Sequence, residues 1–304
     1  MSFPRKTILI ILAFFAIYVI WGSTYLLNKI VVTEVSPLYL ASMRFTVASV
    51  LIFIIAKAMK LKLAITSKQL KNNMIAGFLF LVYGNGVFVW ALKYVDSGFA
   101  ALLASIQPLM VLAMMRMIDG KKIQRSSIIG ISLGVIGMYL LVSQEQIVYQ
   151  EHSLIGILMI FSCIISWSSG SLFVARAELA PSYFVNTGYQ MLTSGIMLFI
   201  VSFLFGETWT SPLNWSSSAQ WSMGFLIIFG SIVAFSAFNY LLKEVSTEKV
   251  STSAYVNPVI ALILGWYILD EQITGQSIIA AIILFTGVYF INAKRTLRPR
   301  MHGR

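Results

Sequence analysis

Apolar residues in this chain come in long unbroken blocks. Ten can be drawn, at 7–28, 37–58, 73–93, 98–118, 126–144, 154–174, 184–205, 220–242, 250–269 and 275–292. Each is close to the roughly 20 residues that a helix needs to cross a hydrocarbon core of about 30 Å. Helices satisfy their own backbone in lipid. The alternating runs of about ten residues that mark a membrane barrel do not recur. The pattern predicts an all-α integral membrane protein with ten transmembrane helices. The connections are short, the longest near 60–71 and 207–219, so no soluble domain is expected beside the bundle. The first block follows Arg5 and Lys6 as in a signal peptide, but it is overlong and has no clear small-residue cleavage site. It is read as the first retained helix.

Two blocks open in the same awkward way. "ASIQPLMVLAMMRMIDGKK" (104–122) and "AYVNPVIALILGWYILDEQ" (254–272) each place an amide and a proline, Gln107-Pro108 and Asn257-Pro258, where an ordinary helix avoids both. Sliding 84–141 onto 234–291 without a gap pairs Pro108 with Pro258, Gly137 with Gly287 and Lys93 with Lys243. Upstream, "WGSTYLLNK" from Trp21 resembles "WSSGSLFVAR" from Trp167. The chain is therefore expected to divide into residues 1–146 and 147–304, five helices each. Five is odd, so the second copy enters the membrane from the opposite side. Transporters built as such inverted repeats bind cargo near the midplane, where the halves meet. On this reading each proline frees a backbone carbonyl in one half of a shared cavity wall. The alternative is that both prolines only kink packing helices and the amides join neighbours.

Composition agrees with a membrane bundle, at 58% hydrophobic and 11% charged residues with a mean hydropathy of +0.84. The net charge of +11 first suggests nucleic acid, but its placement points to topology. With the amino terminus inside, 19 of the 22 basic residues fall in cytoplasmic loops and tails, leaving Lys29 and Lys93 on the far side and Arg44 within a span. Both termini are expected in the cytoplasm, in a cell inner membrane. The tail "AKRTLRPRMHGR" is expected on anionic lipid, with no nucleic acid partner.

The stretches "WGSTYLLNK", "SPLYLASMRF" (36–45), "ALKYVDSGFAALLASIQP" (91–108) and "YLLKEVSTEKVSTSAYVNPVIALILGWYILDEQIT" (240–274) recur in the order found in the EamA family of the drug/metabolite transporter superfamily, which the chain resembles over most of its length. The resemblance implies a ten-helix bundle with a central cavity walled mainly by helices one, three, four, six, eight and nine, exporting or exchanging small metabolites. The family usually carries a Gly-Glu pair at the end of helix four. Here the stretch is Asp119-Gly120-Lys121, while the second half keeps Asp270-Glu271.

All eleven acids and both histidines fall at loops or span ends, so no deep carboxylate is available to exchange protons for cargo. That favours a facilitator or exchanger over a proton-coupled pump for drugs or cations, which is the alternative. Arg44, about seven residues into helix two, has two readings: a structural charge paired with Glu34, a free carbonyl or headgroups, or a dock for a substrate carboxylate. Helix two is not expected to line the cavity. Tyr83 and Trp90, seven residues apart and so on one face, are grouped with Trp21, Trp167, Tyr240 and Tyr255 as an aromatic cage for amphipathic cargo, amino acids first. Ser23, Gln107 and Asn257 are expected to meet a zwitterionic head. Ordinary packing is the competing account of the rings, and Trp209, Trp215 and Trp221 read as an interfacial belt. Gly137 and Gly287 are expected to allow close helix contact. The single Cys163 and two remote histidines make no metal or disulfide site. No cofactor is expected, and serines without a base argue against an intramembrane enzyme. A receptor or scaffold would bind without flux. One chain, a monomer, suffices for this reading.

Overall fold

The computed structural model describes residues 5–120, 125–143, 152–251 and 253–292, and every regular element among them is helical. Helix α1 joins Arg5–Phe15, a wide π-helical segment Ala16–Ile20 and Trp21–Val32. Helix α2 is Pro37–Ala58. Helix α3 joins Ser67–Gly77, the π segment Phe78–Val87 and Phe88–Ala91. Helix α4 is broken into Ser97–Ala104 and Gln107–Asp119. Then come α5 (Arg125–Val142), α6 (Ser153–Arg176) and α7 (Tyr183–Leu204). Helix α8 joins Ser217–Phe225, the π segment Leu226–Phe235 and Ser236–Glu244. Helix α9 comprises Thr247–Val250 and Ser253–Leu269, and α10 is Gly275–Asn292. Among the described residues seven helices, α1 to α4 and α6 to α8, are long and apolar enough to cross a membrane. Val256–Leu269 and Gly275–Gly287 are shorter apolar helices.

Local chemistry sets the ends. Pro37 sits in the first turn of α2, where its missing N–H costs nothing. Thr66 and Gln69 form a reciprocal capping box at the start of α3. Gly120 (φ 65°) and Asp270 (φ 54°) end α4 and the second segment of α9 in the left-handed conformation. Glycine takes it freely, and aspartate tolerates it better than most side chains.

Packing runs in pairs: α2 lies along α7, α5 along α10 and α4 along α9, while α1 meets α8 and α3 meets α6. The α5–α10 contact depends on glycine. A Cβ on Gly137 would stand 2.8 Å from Leu284 Cγ, and one on Gly287 would stand 2.7 Å from the Gly130 carbonyl oxygen.

The two ends of the bundle are built differently. At one end three carboxylates cap other helices. Glu207 accepts from the Leu38 and Tyr39 N–H groups (3.1 and 2.8 Å), Glu271 from the Ser97 and Gly98 N–H groups (2.9 and 3.0 Å), and Glu34 from the Ser216 N–H (2.9 Å). First-turn N–H groups lack helical partners and the helix dipole favours a negative charge there, which is why these acids sit at span ends. The other end carries the exposed pairs Lys6–Glu244 and Lys68–Glu178, which contribute little. Stronger joins there are buried: Asn73 donates to Asn186 (3.2 Å), Gln190 to Asn73 (3.1 Å), and Asn239 to Thr187 and Gln190 (both 2.9 Å), tying α3, α7 and α8 together.

Candidate functional site: a cavity between the two halves of the chain

A cavity of about 100 Å³ lies between α1, α2, α3, α4, α6, α7, α8 and α9. Both amide-proline motifs reach it. Gln107 and Asn257 line it, and so do Ala104, at the break in α4, and Ala254, whose carbonyl lacks a helical partner because residue 258 is proline. Pro108 sits in the first turn of the new segment Gln107–Asp119, after the break at Ser105–Ile106, whereas Pro258 lies inside its helix. Asn257 is engaged structurally. With its amide nitrogen turned toward α1, it donates to the carbonyls of Tyr18 (2.8 Å) and Ile17 (3.1 Å) in the π segment, and to Ser253 (3.2 Å).

One wall is aromatic. Trp21 and Trp167 meet edge to face at 5.7 Å, Trp21 lies 5.0 Å from Phe238, and Trp167 lies 5.1 Å from Phe80 and 6.3 Å from Phe235. The Trp21 indole N–H donates to the Gly230 carbonyl at 3.2 Å, which fixes the ring against α8. Beside it the lining is polar. Arg44, Asn28, Asn85, Thr24 and Ser231 all face the cavity. Arg44, though on α2, reaches across to α8 and α1, donating through Nε to Ser231 Oγ (2.8 Å) and through Nη1 to Asn28 Oδ1 (3.4 Å). Helix two therefore does line the cavity, with Phe45 beside Arg44, and Glu34 caps α8 instead of pairing with the guanidinium.

Of the residues singled out in the sequence, Trp21, Arg44, Gln107, Trp167 and Asn257 come together here. Ser23 does not; its hydroxyl donates back to the Ile20 carbonyl at 2.7 Å, and Thr24 takes the lining position. Tyr83 is partly exposed beside Phe78. Trp90 packs edge to face on Phe205, and Tyr240 packs on Tyr183 at 4.9 Å. The Tyr255 side chain lies outside the described residues. The expected belt also divides: Trp221 is 81% exposed, while Trp215 is buried and donates to Thr210 Oγ1 at 2.8 Å. Tyr25, Asn28, Asn85, Phe235 and Phe238 line the site without having been singled out.

A second recess opens at the acid-capped end, lined by Lys29, Glu34, Asp96 and Glu271. Lys29 Nζ donates to the Leu92 and Val95 carbonyls at 2.6 and 2.9 Å. Burial, then the nearby Glu271, push the Asp96 carboxyl above its ordinary value, with Lys29 opposing. No acidic residue is among those lining the central cavity.

Comparison with known proteins agrees with this architecture. The model of the EamA-like transporter family matches residues 8–143 and again 154–293. The "Uncharacterized inner membrane transporter YedA" of Escherichia coli strain K12 is 33% identical over 297 residues, covering 94% of each chain. The "Probable amino-acid metabolite efflux pump" of the same strain is 23% identical over 283 residues, covering 90% of this chain and 91% of the relative. A crystal structure sharing 18% identity superposes with a TM-score of 0.70 over 95% of this chain and 97% of the other, a likeness of fold. The chain belongs to the EamA-like transporter family.

Proposed function

We propose that this membrane transporter carries small amphipathic metabolites, amino acids or related compounds, by alternating access through the central cavity. The observation that carries the reading is the cavity lining. It draws matching residues from two halves, 1–146 and 147–304: Trp21 with Trp167, Ala104 with Ala254 and Gln107 with Asn257. Residues that repeat about one cavity are what an inverted repeat of five and five helices requires. The doubled family match, the packing pairs and the near-equivalent π segments of α3 and α8 support it. With ten crossings, both termini would lie at the basic end, and the charge bias supports a cytoplasmic side of an inner membrane there.

The aromatic wall suits an apolar side chain and the polar wall a charged head. An amino-acid cargo also accords with the printed name of the efflux-pump relative. A multidrug or cation carrier is the competing reading, but an acid-free cavity gives a cation no carboxylate, only neutral acceptors and ring contacts of about 2 kcal/mol each when desolvated. Counterflow in proteoliposomes separates the two. Labelled phenylalanine should accumulate against unlabelled phenylalanine, whereas counterflow confined to lipophilic cations would refute the amino-acid reading.

A further inference from the structure

The central cavity contains a buried charge without a countercharge. Arg44 is 3% exposed, and its hydrogen-bond partners are neutral, Ser231 and Asn28. Neither salt bridge among the described residues involves it. A guanidinium stays protonated and offers five N–H groups in a fixed fork, of which the two bonds above use two. Its Nη2 rests against α8 where Gly230 leaves room, since a Cβ there would stand 3.0 Å away. Burying an unpaired charge is costly unless something completes it, and carboxylates fit the Arg fork bidentately. The same cavity holds an unmet acceptor. Asn85 Oδ1 is buried with no hydrogen-bond partner among the described residues. Asn257 and Ser23, by contrast, are already bonded to α1 carbonyls.

We propose that Arg44, seated by Ser231 and Asn28, docks the carboxylate of the cargo, and that Asn85 accepts from its ammonium group. The proposal rests on the central cavity being the transport site. It makes the cavity selective for carboxylate-bearing compounds, zwitterions above simple anions, and unfavourable to cations, which Arg44 repels. Selectivity of this kind would come from one buried positive charge on α2, with the rings of α1, α6 and α8 receiving the apolar part.

Four probes of similar size separate the groups: L-phenylalanine, 3-phenylpropionate, phenethylamine and neutral 3-phenylpropanamide. Binding to the purified full chain is read as protection against thermal unfolding, which grows with ligand concentration over Kd. The wild type should bind phenylalanine most tightly, 3-phenylpropionate next, and phenethylamine at least about tenfold more weakly, as loss of one charged hydrogen bond implies. Asn28→Asp places a carboxylate beside Nη1 and neutralises it from within. That variant should fold at least as stably, lose at least about tenfold in affinity for both carboxylates and close their lead over phenethylamine. Arg44→Lys should keep the ranking with weaker binding, and Asn85→Leu should erase the lead of phenylalanine over 3-phenylpropionate. An unchanged ranking in Asn28→Asp, or equal binding of all four probes by the wild type, would overturn the carboxylate assignment while leaving the cavity standing. Binding of none would overturn the cavity reading itself, and the assignment with it.

Discussion

Trp21 and Trp167 stand in two stretches that share little beyond a tryptophan and small polar neighbours, yet their indoles meet at the centre of the molecule. Sequence comparison of the halves was enough to find that pair, and the cavity lining contains both. It could not find the face of α3 that lines the cavity, which carries Leu81, Gly84, Asn85 and Phe88. Tyr83 and Trp90 are seven residues apart, two turns of an ordinary helix, but the segment Phe78–Val87 is π-helical. Its i→i+5 bonding takes more residues per turn, so a seven-residue spacing no longer marks one face. Nor did Arg44 declare its direction, because a long side chain on α2 can reach α1 and α8 across the packed helices. Trp167→Ala should raise the half-saturation concentration for phenylalanine counterflow about tenfold, corresponding to about 1.4 kcal/mol. Trp221→Ala, at an exposed ring, should leave it unchanged. Equal effects would show that the aromatic wall does not touch cargo.

Helices and their caps were legible to different degrees. The block 37–58 coincides with α2, which opens on Pro37, but the block drawn from 73 misses the polar first turns of α3, which begins at Ser67 behind the Thr66 cap, because hydrophobic length does not register polar helical turns outside the apolar run. The partners of the acids are not local. Glu34, Glu207 and Glu271 are all recognisable as span-end residues, but which helix each caps depends on how distant segments pack. The departure from the family's Gly-Glu pair becomes interpretable in the same way: Gly120 and Asp270 share the left-handed turn, and the residue after Asp270 caps α4. Lys121 lies outside the described residues. The α1–α8 join through Glu34 carries a pH signature. Hydrogen bonds from the Ser216 hydroxyl and N–H hold its carboxyl below the ordinary carboxylate range. A depressed carboxyl contributes stability above its unfolded value and loses it as pH falls through the folded one. The melting temperature of the wild type should therefore exceed that of Glu34→Ala at neutral pH, and the difference should shrink as pH falls below about 4. A pH-independent difference would mean the cap does not act through charge.

At the scale of the whole molecule, the packing pairs are those that the proposed repeat of five and five helices would give. α2–α7, α5–α10 and α4–α9 are each pairs of corresponding helices, and exchanging the halves turns the α1–α8 contact into α6–α3. On that proposal, the matched pair Ala104 and Ala254, both of which line the cavity, would be related by a pseudo-twofold axis in the membrane plane. The asymmetries then have a use: acids cap helices at one end, buried amides join them at the other, and rocking between the two would expose the cavity to each side in turn. The most direct measurement is two-sided labelling of that matched pair. Ala104→Cys and Ala254→Cys, each in a Cys163→Ser background, should react in oriented proteoliposomes with an impermeant thiol reagent added to either side. Phenylalanine should change the rate at both positions. If either cysteine reacts from one side only, whatever ligand is present, the cavity does not alternate and the central claim is contradicted.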